Sequence, residues 1–175
     1  MKKPAFLIIC SFLFSAIPAQ NNSTENEVDP KYREFDFWIG EWDVYLTGTK
    51  DVIGYSKVES IVDGFAVRES YQSSKSKYSG TSLNKYNPVT GQWEQYWVDS
   101  SGLTLLLKGR KSGNVMILEN EIETSEGMQA NRISWIQKGD GTVQQTWEQS
   151  FDGGESWNKI FDGHYKKQKA GKNKK

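Results

Sequence analysis

One cysteine, Cys10, and one histidine, His164, are all that this 175-residue chain holds of the two side chains most used to bind metals. No disulfide can close within it, so its stability has to come from a packed core. A structural zinc needs about four such ligands and haem needs an axial one, and no run has the spacing of a calcium-binding loop. The composition therefore predicts no metal and no cofactor. Long apolar stretches are missing too. The longest, Ala5 to Ile17, covers about 13 residues, short of the roughly 20 that a membrane-spanning helix requires. Nor is there a basic excess on the body of the chain: residues 20–165 hold 22 acidic and 14 basic groups, and six lysines crowd residues 166–175. Phosphate recognition needs a basic face on the folded domain, so nucleic acid is not an expected partner.

The first residues read as a secretory leader. Lys2 and Lys3 supply the charged start, the apolar run follows, and Ile17-Pro18-Ala19 is a small-residue cleavage site. The expected organisation is a signal peptide over 1–19, a flexible polar linker over 20–29, one domain over 30–166 and a disordered lysine-rich tail over 167–175. The mature protein would then be exported, periplasmic or secreted, with no membrane span.

Aromatic residues are what the chain does have: seven Trp, eight Tyr and eight Phe. From Gly40 onward they fall in short alternating runs with Val, Ile and Thr, the period-two pattern of half-buried strands. Strands are predicted over 40–48, 52–62, 65–72, 78–86, 92–99, 103–110, 115–123, 129–138, 142–150 and 157–166. Between them lie hairpin-type turns such as Asp63-Gly64, Ser112-Gly113-Asn114 and Gly139-Asp140-Gly141. About ten sequential antiparallel strands favour closure, which removes exposed edges. An up-and-down barrel is expected, with a two-sheet sandwich as the alternative. Side chains just about fill an eight-stranded barrel, so ten strands predict a cavity.

The stretch Phe35 to Tyr45, FDFWIGEWDVY, is the most informative. Its Gly40-Glu41-Trp42 resembles the G-x-W opening of the first strand in lipocalins and other calycin barrels, where a short helical turn leads in and the tryptophan plugs one end. With GTSLNKYNPVTGQWEQYWVD at 80–99, TWEQSFDGGESW at 146–157 and FDGHY at 161–165, the chain resembles small, mostly bacterial, exported proteins of unknown function with a lipocalin-like barrel. That resemblance implies the fold and assigns no catalytic residue or ligand. Ser150 to Trp157 also fits the Asp-box pattern of sialidase propellers, with serine for threonine. A single copy excludes a propeller, and the box reads as a turn in which Asp152 accepts backbone N–H bonds.

Period-two alternation also sorts the faces. On the last strand Trp157, Phe161 and Tyr165 share one face and His164 the other, so His164 should point outward. That argues against a haem barrel with an inward histidine ligand. Trp93, Gln95, Trp97 and Asp99 share a face, as do Gln145 and Trp147, Asn84 and Tyr86, and Val67, Glu69 and Tyr71. Faces that mix indoles with amides and carboxylates suit a pocket with aromatic walls and a few polar anchors, or else an internal polar network. Candidate ligand-binding residues are Glu69, Asn84, Tyr86, Gln95, Trp97, Asp99, Gln145 and Trp147. Arg132, on the strand before Gln145, is added as an inward partner for Glu69, Asp99 or a ligand carboxylate. The expected function is non-enzymatic binding of a small, partly apolar molecule. The alternatives are an enzyme with Glu69 and Asp99 as acid and base, and a structural or interaction domain.

Overall fold

The computed structural model describes residues 28–125 and 127–168. The expected leader, most of the linker and the tail beyond Gln168 lie outside the described residues. Ten antiparallel strands follow one another: β1 (Gly40–Leu46), β2 (Val52–Ile61), β3 (Ala66–Ser73), β4 (Ser79–Asn87), β5 (Gln92–Asp99), β6 (Thr104–Ser112), β7 (Val115–Thr124), β8 (Gly127–Gln137), β9 (Val143–Ser150) and β10 (Asn158–Lys167). Each pairs with its sequence neighbour, and β1 pairs with β10 from Trp42↔Lys167 to Leu46↔Gly163, so the sheet closes on itself. The barrel is up-and-down, as expected, and closure leaves no free edge among the described strands. Its last strand runs through Lys167, one residue into the expected tail.

Two short 3-10 turns, Pro30–Arg33 and Asp36–Trp38, lead in to β1. The first is capped by Asp29, whose carboxylate accepts from the Lys31 N–H at 2.9 Å. The described residues therefore begin inside the expected linker, at Val28. Arg33 donates to the Gly64 carbonyl at 3.3 Å, which ties the lead-in to the β2–β3 turn. From there Phe35 and Trp38, both 0 % exposed, enter the barrel end. Phe35 stacks on Trp38 at 5.1 Å and meets Trp93 and Trp135 edge-on at 5.5 and 5.1 Å. Trp42 donates its indole N–H to the Trp38 carbonyl at 2.9 Å, so the tryptophan of the G-x-W element closes this end by burying its ring and fixing the plug. Such aromatic pairs add about 0.5–1.5 kcal/mol each beyond their buried area.

The outer wall carries the expected His164, paired across strands with Tyr45 and Gln144. Burial lowers the pKa of its imidazole. The β9–β10 hairpin forms the Asp-box turn: Asp152 accepts from the Ser156 N–H at 2.9 Å, Gly153 and Gly154 take φ of 74° and 90°, and Trp157 donates to the Gly154 carbonyl at 3.1 Å. Among the described residues no helix is long and apolar enough to cross a membrane.

Candidate functional site

The half of the barrel away from the plug is hollow. A cavity of about 180 Å³ lies between β3, β5, β6, β8, β9 and β10. Its aromatic walls are Tyr71, Tyr78, Trp97, Trp147, Phe161 and Tyr165, with Leu105 and Ile133 between them. It reaches the surface beside Ile160, which is 48 % exposed.

Two inward glycines keep this space open. A Cβ on Gly80 would overlap the Trp97 ring, and one on Gly54 would overlap the Tyr71 ring. Both aromatics therefore lie over bare backbone on the neighbouring strand. Any larger residue at either position would drive a ring across the cavity. A bulge between Lys159 and Phe161 shifts the β10 register, and Ile160 and Phe161, adjacent in sequence, both line the space as a result.

Among the described residues Glu69 is the one charged side chain in the lining, and it is 2 % exposed. Ser56 donates to it at 2.7 Å. Burial pushes its carboxyl up to about 7, although hydrogen bonding with Ser56 and Tyr165 pulls the other way. Near neutral pH the group is poised: protonated it can donate a hydrogen bond, and ionised it can hold a cation. The Tyr165 hydroxyl donates to the Gln145 side-chain carbonyl. Burial, reinforced by the Glu69 charge, raises the Tyr165 phenol well above its ordinary value and pushes Tyr71 up to about 12. These tyrosines therefore stay neutral donors.

Beneath the cavity the polar residues saturate one another. Gln95 donates to the Asn84 carbonyl at 2.8 Å, and the Asn84 amide donates to the Val67 carbonyl at 3.0 Å and to Ser82 at 2.9 Å. Near the rim Asn131, 0 % exposed, accepts from the Trp147 indole at 3.0 Å and donates to Asn120 at 2.9 Å. The pocket and the internal network posed as alternatives are both present, in successive layers.

The structure thus gathers Glu69, Gln95, Trp97, Gln145 and Trp147 around one space. Asn84 lies inside but in the layer below. Tyr86 packs against Trp93 and Tyr32 at the plugged end. Asp99 accepts from Tyr78 at 2.8 Å and Trp97 at 3.3 Å, and it also caps the β5–β6 turn through the N–H groups of Ser101 and Leu103. Burial alone would raise its carboxyl, but these hydrogen bonds outweigh that and hold it below the usual range. Both its oxygens are engaged in structure, so it is not a free partner for Glu69 in acid–base chemistry.

Arg132 is a correction. It points outward, because Asn131, Ile133 and Trp135 take the inward positions of β8 and alternation leaves residue 132 outside. Its guanidinium pairs with Glu119 at 2.5 Å and lies 4.0 Å from the centre of the Trp157 ring. Sequence reasoning missed Tyr165 and Phe161 as lining residues, although the face of β10 that carries them was legible. Tyr78 sits just before β4, yet it has the parity of Asn84 and Tyr86 in the predicted 78–86 strand, so its facing was legible too. Among the described residues no three metal-ligating side chains come together. No protein-family model matches the chain, and no curated protein is significantly similar to it.

Proposed function

We propose that this protein is an exported binding barrel that holds one small, partly apolar molecule in the hollow half of its interior. The observation that carries the reading is a cavity of about 180 Å³ walled by aromatic rings around a single buried carboxyl. An apolar cavity of about 150 Å³ accommodates benzene, so the space suits a molecule of about one substituted ring. The leader-like residues 2–19 support export, and the barrel with its G-x-W element supports the lipocalin-like kinship.

Trp97 and Trp147 make the reading measurable, because a ring between them changes their emission. Titration with single-ring compounds is expected to shift tryptophan fluorescence, and Trp147→Ala is expected to remove most of the response while the chain stays folded. Native mass spectrometry of protein taken from its own host should show a small retained mass. A silent titration series together with a ligand-free mass spectrum would overturn the proposal.

A further inference from the structure

The cavity as described would take either a neutral ring or a charged one, and its lining is not indifferent between them. None of the described residues that line the space with Glu69 is a Lys, Arg or His. The titratable groups around it are Tyr71 on its own strand, Tyr165 on β10 and Tyr78 before β4, with Asp99 behind Tyr78. All are neutral or negative near pH 7. A buried acid with no counter-ion, surrounded by rings whose faces carry partial negative charge, is a site whose missing element is a cation.

Resting on the binding function above, we propose that the ligand is a small organic cation, a protonated amine on a group of about one ring's size, with its ammonium at Glu69 and its apolar part between Trp97 and Trp147. One further feature supports this. Trp97 and Tyr71 pack over Gly80 and Gly54, which leaves room beside both rings for a cation to reach them. An anion would be repelled by an ionised Glu69, and no cationic side chain among the described lining residues would offset that repulsion.

The empty site keeps Glu69 protonated over part of the physiological range, so taking up an ammonium has to expel that proton to solvent. Cation binding and proton release are linked.

The test uses benzylamine and its uncharged analogue benzyl alcohol, titrated into the full chain by calorimetry in buffers of different ionisation enthalpy and by tryptophan fluorescence. Benzylamine is expected to bind more tightly, to release up to one proton, and to gain about tenfold in affinity between pH 6 and pH 8 while remaining protonated itself. Glu69→Gln is expected to weaken benzylamine at least about 30-fold and leave benzyl alcohol nearly unchanged. Benzyl alcohol binding as tightly as the amine, with no proton release from the wild-type protein, would overturn the cation assignment and leave the binding function standing. If neither compound binds at any pH, both fall. The pH and proton readings need only the wild-type chain, so they decide the matter even if Glu69→Gln fails to fold.

Discussion

The two halves of this barrel are built from the same alternating strands, yet one is solid and the other hollow. At the plugged end large side chains interlock: Phe35, Trp38, Trp93 and Trp135 are each at most 1 % exposed, and the lead-in segment supplies two of them from outside the sheet. At the other end the aromatic supply is just as rich, but no segment among the described residues enters, and glycines at 54 and 80 let the rings lie against the wall. Stability is concentrated where rings meet rings. Space for a ligand remains where rings meet bare backbone.

Substitutions at the two ends should separate these roles. The largest effect is expected for Trp135→Ala, which removes a fully buried indole from contact with Phe35 and Trp38 and should cost about 3–5 kcal/mol. Denaturant midpoints at unchanged slope would show it. Trp147→Ala, at the hollow end, should cost clearly less, and equal losses would break the contrast between the two ends.

Next comes pH. The folded state keeps Glu69 protonated up to about pH 7, whereas in the unfolded chain it ionises near 4.5. Between those values the unfolded state binds fewer protons, so stability falls as pH rises, by about 3 kcal/mol across the window. Unfolding curves at pH 4.5 and 7 should show this decline in the wild-type protein and not in Glu69→Gln. A parallel decline in both would remove Glu69 as its source.

A smaller effect on stability, but a complete one on binding, is expected for Gly80→Ala. The added methyl pushes Trp97 into the lumen at a cost of about 1–3 kcal/mol. Ligand-induced fluorescence changes should disappear. If binding survives, the glycine is not what holds the cavity open. Smallest of all is Arg132→Ala on the outer wall, which loses a partly exposed ion pair and a cation–π contact for about 0.5–2 kcal/mol in sum. Binding is expected to stay as in the wild type, as titration of the two variants side by side would show.

Much of the barrel was legible because its signals are local. Alternation over 92–99 was enough to put Trp93, Gln95 and Trp97 on one face, and the turn glycines marked where each strand ends. The site was legible only in part. Glu69, Trp97 and Trp147 could be placed inward, but nothing in the sequence separated them from Asn84 and Tyr86, which share inward faces and lie in lower layers. Arg132 stands outside because the apolar side chains of Ile133 and Trp135 claim the interior, and the two-residue period puts residues 132 and 134 on the opposite face. The β10 bulge could not be foreseen, since it depends on pairing with β9.

By itself, then, the sequence determined strand number, strand order and facing, because a two-residue period and turn chemistry act over a few residues. Only the closed structure decided how far along the axis each inward residue stands, and with it which polar groups satisfy one another and which face empty space. That depends on the stagger of strands around the barrel and on the depth to which Phe35 and Trp38 enter it, and both are set by contacts between residues far apart in the chain.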